Sequence, residues 1–232
     1  MRALLRQFVL IFCAAPLLTT WVHAQLATET PQLAVFSLNP QSQPVISLNG
    51  LWRFKPGDDP RFAEASYNDS AWALLRSDQS WTQQGYATLT GFAWYRFRVT
   101  LPAGTWRQSL LLPAISSGYQ CFLDGKLVHT EGAVKQQGVR RYSMPSVFDL
   151  PSEKRAFAQT HVVALRVWFD PQLDGSSEGG PNGSSVRIAS VGESAPVRSR
   201  LSDFFALQRQ AAAVTLELSL LFILAGIMCI PL

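Results

Sequence analysis

Apolar and polar residues alternate with a period of two in several parts of the chain. Between Trp94 and Leu101 every second residue is apolar, and the residues between them are mostly polar. Thr160 to Phe169 repeats the pattern, with Val163, Leu165, Val167 and Phe169 on one face. Such alternation predicts β-strands that bury one face. The continuous apolar run Leu110 to Leu112 predicts a strand buried on both faces.

Turn signals separate these segments. Asp124-Gly125 follows the alternating run from Tyr119 to Leu123, and Asp-Gly between apolar segments predicts a hairpin with a type I′ turn. Further strands are predicted at Val45 to Lys55, at Ser143 to Leu150 as an edge strand interrupted by Pro145, and at Val186 to Val191. About eight short strands separated by turns indicate an all-β domain, a jelly-roll β-sandwich, over residues 45–192.

Several motifs along this domain resemble a known family. They are Leu48-Asn49-Gly50-Leu51-Trp52-Arg53-Phe54, Asp69-Ser70-Ala71-Trp72, Ala93-Trp94-Tyr95-Arg96, Tyr119 to Gly125, and Val163 to Val167. In order and spacing they resemble the N-terminal sugar-binding, galactose-binding-like jelly-roll domain of the family 2 glycoside hydrolases. The resemblance covers roughly half of the chain. It implies that Trp52, Trp72 and Trp94 pack in the core, and that the catalytic carboxylates belong to a separate barrel downstream.

The two ends of the chain differ from this domain in composition. Residues 1–24 have the basic start, apolar stretch and small-residue end of a secretory signal peptide, and residues 25–44 are predicted as a linker. After a polar juxtamembrane segment at 193–210, with a cap at Ser202-Asp203, residues 211–232 hold one charge, Glu217. This predicts a transmembrane helix, and the absence of basic residues after it suggests a truncated chain. We expect an exported, extracytoplasmic domain anchored in the cytoplasmic membrane.

Charge and cysteine content exclude several classes of function. Without Arg2 and Arg6 of the signal peptide, 18 basic residues face 16 acidic ones, and no basic stripe predicts nucleic-acid binding. Of three cysteines only Cys121 lies in the domain, so neither a disulfide framework nor a cysteine metal site is predicted. No cofactor motif or metal-ligand spacing is present, and His129 and His161 are predicted to be structural. The acidic groups at Asp58-Asp59, Asp170, Asp174 and Glu178 are predicted to be solvated loop carboxylates.

Sugar binding would use an aromatic side chain beneath the ring and polar groups for the hydroxyls. Aromatic residues in or beside predicted loops, and polar residues in those loops, are the candidates for ligand binding: Trp81, Tyr86, Trp106, Arg140, Arg141, Asp170 and Asn182. The expected ligand is a carbohydrate or another small molecule, and no catalytic residue is predicted.

Three functional hypotheses remain open from the sequence. The first is a non-catalytic sensor domain of a bacterial membrane signalling protein, whose output domain would follow Leu232, with a homodimer formed through the membrane region. The second is the accessory sugar-binding domain of a truncated family 2 glycoside hydrolase. The third is a structural domain that binds a partner protein.

Overall fold

The computed structural model describes residues 34–39, 41–104, 107–116, 118–132, 144–151, 155–171, 179–181 and 189–228, with the backbone course alone for 220–222 and 224–228. The predicted signal peptide at 1–24 lies outside these residues. The described strands are β1 (Val35–Ser37), β2 (Val45–Ser47), β3 (Leu51–Pro56), β4 (Ala73–Arg76), β5 (Gly91–Leu101), β6 (Gln108–Leu112), β7 (Gly118–Leu123), β8 (Lys126–Gly132), β9 (Ser146–Asp149), β10 (Gln159–Phe169) and β11 (Ser190–Glu193). Short 3-10 helices span Pro60–Ala63 and Thr82–Gln84, and one α-helix, α1, spans Ser194–Met228.

The described strands form two sheets. The larger sheet has the order β4-β3-β5-β10-β7-β8. In this sheet β1 also pairs in parallel with β5, along the edge of β5 that β3 occupies further on. The smaller sheet has the order β2-β11-β6-β9. The centre of the larger sheet is the antiparallel pair of β5 and β10, whose register runs from Gln159 opposite Leu101 to Phe169 opposite Gly91. The predicted all-β sandwich is confirmed.

The apolar residues of the predicted alternation fill the space between the sheets. Tyr95, Phe97 and Val99 of β5 and Leu165 and Val167 of β10 all lie in the main core. Leu110 and Leu112 point into this core as well, whereas Leu111 packs on the other face of β6, so the prediction of a strand buried on both faces is confirmed.

The predicted hairpin is also confirmed. Asp124 and Gly125 have φ values of 48° and 86°, as a type I′ turn requires at both central positions. Asp124 also binds the neighbouring strand β10. Its carboxylate accepts a hydrogen bond from the Val162 backbone N–H at 2.8 Å and contacts His161 Nδ1 at 2.6 Å. β9 begins directly after Pro145 and lies at a sheet edge, as predicted.

Two local predictions were wrong. Val45 to Lys55 was predicted as one strand, but β2 and β3 belong to different sheets because the chain crosses between them at Leu48–Gly50. In the sequence, Asp69-Ser70 before Ala71-Trp72 resembles a helix N-cap and predicts that the Asp69 side chain caps a helix, but this side chain pairs with Arg96 on β5 instead. Arginine side chains of the sheet donate the hydrogen bonds that this carboxylate accepts, and residues 71–72 form a turn rather than a helix.

α1 continues directly from β11 and packs against the smaller sheet. Val197, which is fully buried, contacts Val45 and Leu111, and Leu201 packs beside them. Arg198 donates to Asp149 of β9 at 2.8 Å. Ser202-Asp203, predicted as a cap, lies inside α1, since the tertiary contacts at residues 197–201 extend the helix back to Ser194.

From Leu207 to Ser219 every side chain of α1 is exposed. Within the part of the chain that the structure describes, no helix is both long enough and apolar enough to cross a membrane. The transmembrane helix predicted over residues 211–232 is therefore not supported.

Candidate functional site

A loop covers part of the outer face of the larger sheet, the face that points away from the core. This covering loop, residues 57–72, is held by Arg96, which is fully buried although it lies on the polar side of β5. Arg96 Nε donates to Asp69 at 2.9 Å, and its Nη1 donates to the carbonyl oxygens of Phe62 and Glu64. Arg98 reaches the other oxygen of Asp69 at 3.1 Å. The two arginines thus fix the loop to the sheet.

The Asp69 carboxylate is ionised in this setting. Burial by itself raises the pKa of Asp69, but the hydrogen bonds and charges of Arg96 and Arg98 outweigh it, and the pKa lies below the ordinary value. Aromatic packing under the loop adds to the attachment. Phe62 packs on Trp72 with ring centroids 5.0 Å apart, and Trp94 stacks on Phe122 at 5.5 Å. The segment from Asp69 to Trp72 therefore has a structural role, since it attaches the covering loop to the sheet.

Beside the covering loop, an aromatic and charged row crosses the same outer face. Arg166 of β10 forms an ion pair with Asp58, with Nε to Oδ1 at 2.7 Å, and its guanidinium lies 3.8 Å from the centroid of the Phe92 ring. Phe92 in turn packs against Trp168 at 4.7 Å. Asp58 was predicted as a solvated carboxylate, but it is engaged by Arg166 and the Trp94 indole N–H.

The row ends at a cleft of about 320 Å³ where β5 begins and β10 ends. Its lining residues are Thr90, Gly91, Trp168, Phe169, Asp170 and Pro171. Trp168 is half-buried, whereas Phe169 is part of the core. Gly91 has a φ of 88°, which glycine adopts without strain, and a Cβ at this position would contact the Trp168 ring at 3.8 Å. The cleft thus combines an aromatic face, a hydroxyl and a carboxylate.

The candidate ligand-binding residues lie in different environments in the structure. Asp170 lies in the cleft. Trp81, a candidate for the aromatic surface beneath a sugar ring, is fully buried, because its indole donates to the Tyr95 hydroxyl at 2.7 Å and its ring packs on Phe54 and Phe169. Tyr86 is half-buried and packs edge-on against Phe54 at 4.9 Å, away from the residues that line the cleft. Trp106, Arg140, Arg141 and Asn182 lie outside the described residues.

Thr90, Phe92 and Trp168 were not among the candidates from the sequence. The alternation of β10 had already placed Arg166 and Trp168 on the face opposite the core. Only the register with β5, which sets Trp168 opposite Phe92, shows that this face carries an aromatic pair.

Two titratable side chains outside the cleft, His129 and Cys121, have structural contacts. His129 stacks on Phe148 with ring centroids 4.3 Å apart and lies 3.2 Å from the Ser146 hydroxyl. Burial raises the pKa of the Cys121 thiol well above its ordinary value, so this cysteine is an inert core residue. Within the described ranges, no group of three or more histidine, cysteine or acidic side chains could hold a metal ion.

No protein-family model and no curated protein sequence matches this chain. Among solved structures, a β-glucuronidase from Bacteroides uniformis is similar with 20% identity and a TM-score of 0.50, over 63% of this chain and 17% of that chain. A β-glucuronidase from glycoside hydrolase family 2 is similar with 15% identity and a TM-score of 0.49, over 64% of this chain and 17% of that chain. A Bifidobacterium dentium β-glucuronidase complexed with coumarin-3-O-glucuronide has 17% identity and a TM-score of 0.42, over 53% of this chain and 20% of that chain.

The described sandwich therefore has the fold of part of a β-glucuronidase, and the resemblance predicted from the sequence is confirmed at the level of the fold. The matched region spans about a sixth of the Bacteroides uniformis enzyme.

Proposed function

We propose that this chain provides a non-catalytic carbohydrate-binding module, of the accessory type associated with family 2 glycoside hydrolases. The observation that carries the proposal is the cleft between the start of β5 and the end of β10. The Trp168 ring offers an apolar surface for a sugar ring, while Asp170 and Thr90 offer hydrogen-bonding groups for its hydroxyls. The fold shared with β-glucuronidases supports a β-glucuronide or a related hexoside as the first ligand to test.

Two acidic side chains on the outer face of the larger sheet, Asp58 and Asp69, are held in ion pairs, which favours a binding role over hydrolysis. Hydrolysis of a glycosidic bond needs two carboxyl groups that flank that bond. Asp58 is paired with Arg166 and Asp69 with Arg96, so both serve the packing of the covering loop. Among the described residues that line the cleft, Asp170 is the acidic one.

Titration of the 232-residue chain with a panel of β-glucuronides and hexosides, by calorimetry, tests this proposal. We expect binding that is weakened at least tenfold by Trp168→Ala and by Asp170→Asn. Phe157→Ala is the matched control, since Phe157 is an aromatic residue that is 67% exposed outside the cleft, and it should leave affinity unchanged. Hydrolysis of a chromogenic β-glucuronide by the chain would contradict the non-catalytic assignment. The absence of binding across the panel would favour the protein-interaction hypothesis.

A second candidate function, transmission of ligand binding to α1, is supported by the junction of β11 and α1. Glu193 ends the strand and Ser194 begins the helix, without a linker between them. Val197 and Arg198 then attach the first turns to the smaller sheet. A change in the sandwich would therefore reach α1 through a rigid connection, as a sensor domain requires.

Hydrogen exchange of the α1 amides tests this second function. A bound sugar should change exchange at residues 197–206 in the wild type, and insertion of two glycines after Glu193 should abolish that change while sugar affinity is retained. An identical exchange pattern with and without sugar would contradict a signalling role. Export, the membrane location and the homodimer stay predictions from the sequence.

A further inference from the structure

α1 continues for several turns past its contacts with the sandwich. Val197 and Leu201 pack against the smaller sheet, whereas every side chain from Leu207 to Ser219 is exposed. The large apolar side chains of this stretch include Leu207, Val214 and Leu218, which are 66%, 53% and 50% exposed. Most of the stability of a helix in a protein comes from packing of its apolar face, so this stretch needs a contact that covers these side chains.

Apolar residues recur along this stretch with alternating spacings of three and four residues. They form a stripe, the apolar heptad stripe, which consists of Phe204, Leu207, Ala211, Val214 and Leu218. The same spacing continues in the sequence at Leu221, Ala225 and Met228. Every other stripe of this spacing between residues 204 and 228 includes Gln208, Arg209 or Gln210. The heptad repeat is therefore a property of one face of α1.

The period of the stripe indicates that its partner is another helix. An α-helix has about 3.6 residues per turn, so a stripe with a period of about 3.5 stays in contact with its partner when two helices supercoil. A lipid surface would instead favour a broad apolar face that follows the helical period. The polar residues of the exposed stretch all lie off the stripe: Gln208, Arg209, Gln210, Thr215, Glu217 and Ser219.

We propose that α1 pairs with α1 of a second copy of this chain, in a parallel two-stranded coiled coil along the apolar heptad stripe. Such a stripe is self-complementary, because a twofold axis places each of its residues opposite the same residue of the other copy. The pairing uses no residue of the cleft, so it does not depend on the proposed sugar binding.

The parallel orientation follows from the position of Glu217. This residue immediately precedes Leu218 and therefore flanks the stripe. In an antiparallel pair that overlaps over residues 204–228, the two Glu217 side chains would lie close together near the centre of the interface. A parallel pair keeps the two carboxylates on opposite sides of the coiled coil, where they do not repel each other.

Sedimentation velocity of the full chain over a concentration series tests the pairing, and we expect a dimer. Leu218→Glu places a charge on the stripe of both copies and should raise the dissociation constant of the dimer at least tenfold. Leu216→Glu is the matched control, because Leu216 is 66% exposed and lies off the stripe, and the dissociation constant should stay unchanged. Both leucines are exposed, so neither variant should unfold the sandwich.

Cysteine cross-linking tests the orientation. The native Cys13 and Cys229 are first replaced by serine. In this background Val214→Cys should form a disulfide-linked dimer under mild oxidation, because a parallel pair brings the two copies of position 214 together. Leu216→Cys, on the opposite face of the helix, should cross-link much more slowly. A dimer in which Val214→Cys does not cross-link faster than Leu216→Cys would overturn the parallel arrangement.

Two results would overturn the pairing itself. One is a wild type that stays monomeric over the whole concentration series. The other is equal weakening of the dimer by Leu218→Glu and Leu216→Glu, since the stripe would then have no special role. Flotation with phosphatidylcholine vesicles identifies the alternative partner: a monomeric chain that floats, and whose flotation both glutamate variants reduce equally, would assign the exposed leucines to a lipid surface.

Discussion

The ion pair between Arg96 and Asp69 should be among the most sensitive positions of the fold. Both side chains are almost completely buried, with 0% and 5% exposed. Asp69→Asn keeps the shape of the side chain but removes its charge, which leaves the Arg96 guanidinium buried without a counter-charge. Removal of one partner of a buried pair typically costs about 3–5 kcal/mol. We expect a loss of about 3 kcal/mol, because three backbone carbonyls still accept hydrogen bonds from Arg96.

Urea unfolding and calorimetry measure this loss. For a chain of this size, about 3 kcal/mol corresponds to a drop of about 6–12 °C in the unfolding midpoint. Arg61→Gln is the control, because Arg61 forms an ion pair with Asp59 but its side chain is 73% exposed, and no measurable change is expected. A loss below about 1 kcal/mol for Asp69→Asn would refute the reasoning, since it would place the pair among ordinary surface pairs.

The same pair predicts a dependence on pH. The pKa of Asp69 in the folded chain lies below the ordinary value of 3.8, because Arg96 and Arg98 outweigh the effect of burial. Ionised Asp69 therefore stabilises the fold fully above about pH 4, and this contribution is lost as the pH falls through the lowered pKa. The difference in stability between wild type and Asp69→Asn should shrink over this acidic range, and a difference that stays constant down to pH 2 would contradict the assignment.

Three further predictions concern the core and α1. Gly180→Ala should destabilise the chain by about 2 kcal/mol or more, since its φ is 87° and a Cβ would lie 2.6 Å from Trp81; unchanged urea unfolding would contradict this. Val197→Ala should lower the free energy of unfolding by about 1–2 kcal/mol, because Val197 packs against the smaller sheet. Hydrogen exchange in the first turns of α1 should become faster, and slow exchange in the variant would contradict that packing. Cys121 should resist iodoacetamide in the folded chain and react after unfolding, since burial raises the pKa of its thiol. Mass spectrometry of the peptide that contains Cys121 measures the labelling, and rapid labelling of the folded chain would argue against burial.

The local pattern of the sequence was sufficient to predict much of the fold. Alternation identified β5 and β10 and assigned Tyr95, Phe97, Leu165 and Val167 to the core, because a strand exposes its two faces in turn. The Asp124-Gly125 turn was equally predictable, since both positions have positive φ. These features depend on neighbouring residues along the chain, and for this reason they can be read from the sequence.

The candidate site was only partly predictable. Asp170 was a candidate because it lies in a predicted loop; it lines the cleft, and its role in ligand binding stays a prediction. Trp81 was misassigned because its position beside a polar loop says nothing about the Tyr95 hydroxyl, 14 residues further on, that binds its indole. Trp168 and Phe92 were missed because their pairing depends on the register of β5 and β10.

The sequence by itself thus determined the two central strands β5 and β10, the Asp124-Gly125 turn and the inward-facing residues of those strands, all of which follow from local periodicity and backbone preferences. Only the tertiary structure decided which polar residues are buried and with which partners. Arg96 and Arg98 are both polar positions on the outer side of β5, yet the covering loop buries Arg96 completely and leaves Arg98 partly exposed. Arg155 is likewise an ordinary basic residue in the sequence, and the packing of the sandwich around it made it a buried charge. Partners that lie tens of residues apart meet only through strand pairing and loop packing, and local pattern carries no information about those distances.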